Sequence, residues 1–333
     1  RKYILDIIFN EFLGLEYFLE IGSKNYEIEL KNKKIIIKDT FFNKYPKDLE
    51  YLYLENIPNK IEGLDIFAAS FFMLTRWEEY VNKNRDSHNR FPATESLAYK
   101  QGFLDRPIVN EYVETLKGML LKVDERIVFK KKDYQFFLTH DVDIPFKFYS
   151  LKGSIKTLAG DLLRRKNINK FIKNLRLFID SRFDYKKDPF NTFNFIFDIN
   201  NKYEINSYFF FMGTGVTKYD NAYAIKNYKT RQLIKEVKRN NNKIGLHSSY
   251  ASYEDSRQFQ KEKKLAESVV GSSMTCGRQH YLNFSVPKTW QNYEDASLLY
   301  DSTMGYADLP GFRSGVCYEY SVFNILTRKK LHL

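Results

Sequence analysis

Two aspartates stand two residues apart in Thr139-His140-Asp141-Val142-Asp143, directly after the apolar run Tyr134-Gln135-Phe136-Phe137-Leu138. In an extended chain residues i and i+2 share a face, so this spacing sets two carboxylates side by side. Like charges that close call for a cation between them or for one raised pKa. Taken alone, the pair is also compatible with one aspartate capping the next element and the other lying in water. A second polar run, Gly245-Leu246-His247-Ser248-Ser249-Tyr250, puts an imidazole directly after an apolar strand. A third, Cys276-Gly277-Arg278-Gln279-His280-Tyr281, puts another ahead of Pro287 and Trp290. Each histidine, taken singly, also suits a satisfied polar residue at a strand end. Their grouping is what carries weight: the chain has five histidines, and three of them, His140, His247 and His280, fall in these runs. Two imidazoles and a carboxylate around an open position make a zinc-type catalytic set. A metal so held polarises an amide or ester carbonyl and lowers the pKa of its water, while a second carboxylate takes the water's proton. The chemistry is hydrolysis by an activated water. Against it the sequence offers no comparable nucleophile-elbow serine, P-loop or Rossmann glycine fingerprint.

Such residues need parallel strand ends to bring them together, because polar groups there collect at one mouth of a sheet or barrel. The strand Tyr134–Leu138 opens an alternation that continues with the strand Ser207–Met212, the helix Arg231–Asn240 and the strand Lys243–Leu246, the pattern of an α/β sheet or barrel. Between the first two strands lies a basic, helix-prone insertion, Leu151–Phe183 within residues 147–187, of the kind that shapes a substrate groove or lid. Upstream, Ile4–Phe9 is amphipathic, and Tyr26–Leu30 and Lys34–Lys38 read as two strands across a turn. Asp65 is placed to cap a helix running to Tyr80, and a further helix spans Asn110–Leu121. The charged run Lys130–Asp133 marks the boundary. Residues 1–132 are thus expected to form a smaller α/β accessory domain without chemistry of its own, and residues 133–333 the domain that carries the site.

Bulk properties fit this division. A chain of 333 residues that is 43% hydrophobic and 17% aromatic can bury a substantial core and divides into about two domains on size alone. The net charge of +12 is spread along the chain and densest in Lys147–Lys187, without a recognition helix or RNA-binding aromatic signature, so nucleic acid is not an expected partner. The basic run reads as a solvated face or as an anion-binding patch. Cys276 and Cys317 lack CxxC spacing, which points to neither a zinc knuckle nor a disulfide framework and fits a reducing, cytoplasmic setting. No run reaches the ~18 apolar residues of a membrane span. Arg1-Lys2-Tyr3 has neither signal-peptide architecture nor an initiator Met, so a longer natural chain is expected.

These motifs, in this order, resemble those of the polysaccharide deacetylase (NodB-homology) superfamily, and more closely a bacterial subgroup with an added N-terminal domain. The resemblance spans the whole chain. Thr139-His140-Asp141-Val142-Asp143 is similar to the first motif in its Asp-x-Asp form, which implies Asp141 as general base and Asp143 as metal ligand. His247-Ser248-Ser249-Tyr250-Ala251 resembles the second motif, which normally supplies two metal histidines; here Ala251 stands at the second, leaving His280 or a water to complete the shell. Arg278-Gln279-His280-Tyr281 is similar to the third motif, with His280 in place of a proline. By that match Arg278 orients the base and the Tyr281 amide helps hold the oxyanion. Tyr300-Asp301-Ser302-Thr303 resembles the fourth, which implies that Asp301 tethers Arg278. Gly311-Phe312-Arg313-Ser314-Gly315 resembles a subgroup feature whose Arg313 meets an anionic substrate group, with Trp290 a further substrate contact. His332 reads as an ordinary strand residue. The resemblance implies a distorted (β/α) barrel whose last elements lie beyond Leu333. It also implies a divalent metal, zinc, and removal of N- or O-acetyl groups from a surface or lipid-linked glycan. The missing histidine at Ala251 carries the alternative, a glycan-binding pseudoenzyme with a degenerate metal site.

Overall fold

The computed structural model describes residues 1–22, 24–42, 65–215, 217–220 and 223–333. It is a mixed α/β protein whose contacts divide into two compact units, one of Arg1–Tyr134 with Tyr281–Leu333 and one of Gln135–His280. In the first unit α1 (Lys2–Leu5) runs on as a π-helical stretch, Asp6–Leu13, and the hairpin β1 (Tyr26–Leu30) and β2 (Lys33–Ile37) follows. The helix α2 (Ile66–Leu74) is buried on nearly every side, from Phe67 to Leu74, as an all-apolar helix must be. Its N-cap is Asp65, which accepts the Ala68 N–H at 2.8 Å, as the sequence indicated. The expected continuation to Tyr80 is broken. Arg76 adopts a left-handed φ of 53° and a short α3 (Trp77–Val81) starts in a new direction. The helices α4 (Leu97–Lys100) and α5 (Ile108–Val123) complete this part.

The second unit is built on four parallel strands in the order β3 (Thr139–Val142), β4 (Tyr208–Met212), β5 (Lys243–Ser248) and β6 (Cys276–Gln279). The strand expected at Tyr134–Leu138 begins later, at Thr139, and Tyr134, Phe136 and Phe137 are exposed, so apolarity alone misplaced it. The insertion folds as α6 (Leu151–Ala159), a π-helical turn Gly160–Arg164, and α7 (Ile168–Phe183). The helices α8 (Phe193–Lys202), α9 (Tyr228–Arg239) and α10 (Ser256–Val270) alternate with the remaining strands. The run Tyr208-Phe209-Phe210-Phe211-Met212 is buried from Phe209 on, as suits a parallel strand covered on both faces.

The chain then returns to the first unit through α11 (Lys288–Asp295), β7 (Tyr300–Asp301) and the antiparallel pair β8 (Phe323–Asn324) and β9 (Lys329–Lys330). By contacts, residues 281–333 group with residues 1–134. The Val109 N–H donates to Gly315 O at 2.8 Å, the Tyr3 hydroxyl to Ser321 O at 2.9 Å, and the Tyr3 ring packs 4.6 Å from that of Phe323. The strongest link is ionic. Arg313 and Arg76, both buried, converge on the buried Glu79: Arg313 Nε and Nη2 reach its two oxygens at 2.8 and 2.7 Å, and Arg76 Nε reaches one of them at 2.7 Å. Arg76 also donates to Arg313 O and to Glu78. The left-handed turn at Arg76 is what aims its guanidinium into this cluster. Among the described residues no helix is long and apolar enough to cross a membrane.

Candidate metal centre

Strand register puts the candidate residues on one face of the second unit's sheet. Asp141, Phe210 and Gly245 are lateral neighbours, and two residues further on Met212, His247 and Arg278 form the next row. Laterally paired residues point to the same side, and residues two apart do likewise. Alternation sends His140 to the opposite face, where it stacks on Phe209 with ring centroids 4.6 Å apart. Of the three histidines in the polar runs, two therefore share the site.

Those two are buried and their rings stack, 5.0 Å between centroids and 17° between planes. Asp143, just beyond the end of β3, faces them with a side chain 45% exposed. Ligand atoms of Asp143, His247 and His280 all lie within 4.8 Å of one another. His247 Nδ1 is 2.9 Å from Arg278 O, and a carbonyl only accepts, so Nδ1 carries a proton and Nε2 turns to the carboxylate. Nε2 and Asp143 Oδ1 are 3.3 Å apart. Two acceptors that close need a positive charge between them, either a second imidazole proton or a bound cation. Tetrahedral zinc, with bonds near 2.0–2.1 Å, sets its ligand atoms about 3.3–3.4 Å apart, the separation of this pair. Locking the far nitrogen of a ligating imidazole to a carbonyl is likewise what a metal site requires.

Charge states agree with that use. Burial, reinforced by the His247 charge, pushes His280 down to about 4, so its ring is neutral and able to donate a lone pair at neutral pH. Burial raises the Asp143 carboxyl, but its hydrogen bond to His247 and the charges of His247 and His280 outweigh that and hold it below the ordinary range. The residues present fit a divalent ion with three protein ligands.

Asp141 is fixed from the far side of the sheet. Arg278, on β6, donates from Nη1 to Asp141 Oδ1 at 3.0 Å and from Nη2 to Thr139 Oγ1 at 2.9 Å, both on β3. Three strand spacings of a flat sheet amount to about 14 Å, beyond the reach of these side chains, so the sheet curls toward this face. The Phe210 ring fills the hollow, 5.0 Å from the guanidinium carbon. Gly245 makes room for it, since a Cβ there would lie 2.5 Å from the Phe210 ring and 2.8 Å from Cys276 Sγ. An open cavity of about 570 Å³ begins at Thr139, Asp141 and Asp143 and continues between Ile144, Phe193 and Ile196.

The turn after β5, which contains Ala251, is held by groups that sequence reading did not single out. Glu262, buried on α10, accepts the Ser249 N–H at 2.8 Å, the Ser249 hydroxyl, and Gln258 Nε2 at 2.7 Å. Burial raises its pKa to about 7 against these hydrogen bonds. Asp220 accepts the Tyr250 N–H at 2.7 Å. Thr139 was legible only as the first letter of a motif, and nothing in the local sequence distinguishes Glu262 from Glu267, the other acidic residue of its helix.

Four expected site residues belong to the first unit. The Asp301 carboxylate caps its own turn through Thr303 N at 2.9 Å and the Thr303 hydroxyl. Tyr281 has a left-handed φ of 61°, its carbonyl accepts from Arg90 Nη1 at 3.1 Å, and its ring lies 4.9 Å from that of His88. Trp290 is fully buried against Phe284, a core position rather than a sugar platform. Arg313 is equally enclosed, its charge matched by Glu79, so the anion it meets is internal. Both substrate contacts expected from sequence thus fall in the interior of their unit.

Residues 1–125 match a family of unknown function, DUF7033. No curated protein and no solved structure matches the chain.

Proposed function

We propose that the protein is a metal-dependent deacetylase of the polysaccharide deacetylase type, which hydrolyses an N- or O-acetyl group on a sugar of a surface or lipid-linked glycan. One observation supports this above the rest: Asp143, His247 and His280 converge beside a second carboxylate, Asp141, that an arginine holds apart from them. The distorted barrel belongs to the same proposal. It is supported by four parallel strands alternating with helices and by a sheet curled enough for β6 to reach β3.

Asp143, His247 and His280 would hold the ion, with His280 serving where Ala251 offers nothing. When bound, zinc supplies a Lewis acid for the acetyl carbonyl and lowers the pKa of a water. Asp141 takes the proton of the attacking water. Arg278 keeps that carboxylate aimed, through a contact that is part-exposed and therefore serves position more than stability.

Acetate release from N-acetylated and O-acetylated oligosaccharides by the zinc-loaded full chain tests the reading. Asp141→Asn is expected to lower kcat by about 10²–10⁴ with zinc content unchanged, the usual contribution of a general base. Release that is equally fast in the variant, or absent on both substrate classes, overturns it.

A further inference from the structure

The insertion between β3 and α8 carries a surface that the hydrolytic site does not use. On α7, Asn174 and Ser181 face inward and are buried. The opposite side exposes Ile168 by 63%, Ile172 by 42%, Ile179 by 46% and Phe183 by 90%. Their spacing of i, i+4, i+11 and i+15 sets them in a single stripe along the helix. On α6, Leu151 and Ile155 repeat the pattern one turn apart, and Leu162 and Leu163 continue it into the next turn, all exposed. A solvated helix face would carry polar residues at these positions, and a contiguous apolar patch marks an interaction surface.

The hairpin is preorganised rather than loose. Buried Asp161 accepts from Asn174 Nδ2 and from Arg165 Nη1, and Asn174 Oδ1 in turn accepts Lys147 Nζ at 2.6 Å. Charge then says what covers the stripe. Between residues 147 and 187 there are twelve Lys and Arg against three Asp. Arg176 and Arg182 flank the α7 stripe on its two sides. A second copy of this face would meet like charge. A nucleic acid would engage the cations and leave the isoleucines in water. An anionic bilayer satisfies both.

We propose that the hairpin α6–α7 is a membrane-surface anchor, its apolar stripe entering the boundary between headgroups and acyl chains of an anionic bilayer while Arg176 and Arg182, exposed on its two sides, meet lipid phosphates. This attachment lies on the surface and needs no spanning helix. It stands independently of the chemistry assigned to Asp143, His247 and His280.

Co-sedimentation of the full chain with vesicles tests it. The chain binds vesicles of mixed phosphatidylglycerol and phosphatidylcholine, releases them as salt is raised, and ignores phosphatidylcholine alone. Each basic residue near an anionic surface contributes about five-fold, so R176Q with R182Q weakens binding about thirty-fold. I172S with F183S, both exposed positions, abolishes binding at low salt while circular dichroism and thermal melting stay as in the parent. The proposal is overturned by equal binding to phosphatidylcholine alone, by full binding of the I172S/F183S variant, or by no binding to either vesicle. Concentration-dependent dimers that I172S/F183S dissolves, or RNA binding that outcompetes the vesicles, overturn it in favour of another occupant.

Discussion

His247 is the pivot of the site because one of its nitrogens is committed to Arg278 O and the other faces Asp143. Arg278 therefore does two things, holding the imidazole through its backbone and Asp141 through its side chain. Arg278→Lys keeps the first and loses the forked hold on Asp141 and Thr139, so kcat falls while zinc affinity is retained, which steady-state kinetics and metal titration separate. Glu262 gives a pH signature of its own. Its folded pKa of about 7 lies above the ordinary 4.5, so the protonated form favours folding: its contribution is full below about 4.5 and is lost as pH rises through 7. Stability should decline across that window by up to about 1.4 kcal/mol per pH unit, and Glu262→Gln should flatten the slope in denaturant melts. Residue identity was legible where chemistry demands a type. Asp143, His247 and His280 stood out by rarity and spacing. The burial of Arg313 was not legible, because it depends on a partner, Glu79, more than two hundred residues away.

At the scale of elements, the period of a strand decides which polar residues meet. Four-residue β3 sends Thr139 and Asp141 to one face and His140 to the other, a distinction the motif alone does not make. Gly245 shows how an unremarkable strand position serves the site. Gly245→Val drives a side chain into Phe210 and Cys276, costs about 1–3 kcal/mol as overpacking does, and displaces the ring that underlies Arg278. Thermal melting reads the first effect and kcat the second. Strands with strong β-branched or aromatic runs, such as β1, β2 and β4, were legible within a residue or so. The start of β3 was not, because the exposed Tyr134–Leu138 run has the composition of a strand and few partners to make it one.

For the whole molecule, the decisive fact is that residues 281–333 return to pack with residues 1–134. That return could not be read from local pattern, since its strongest links are single residues far apart in sequence. Burial opposes ionisation of Glu79, yet Arg313 and Arg76 hold its pKa down to about 2, so its contribution is present above the ordinary 4.5 and lost as pH falls through about 2. Glu79→Ala leaves the buried Arg313 without its carboxylate and Arg76 with Glu78 alone, and is expected to destabilise the first unit by about 3–5 kcal/mol in chemical denaturation. The fragment 1–134, deprived of Arg313, should lack the cooperative melt that the full chain shows, although it contains all of the residues matched by DUF7033.

The proposed chemistry requires that Asp143, His247 and His280 hold one divalent ion. Calorimetric zinc titration of the full chain, metal-stripped beforehand and compared with Asp143→Ala and His280→Ala, tests it most directly. One zinc per chain is expected in the parent and loss of that site in both variants, with their melting behaviour otherwise preserved. A parent that takes up no zinc, or a His280→Ala variant that binds it as tightly as the parent, would contradict it.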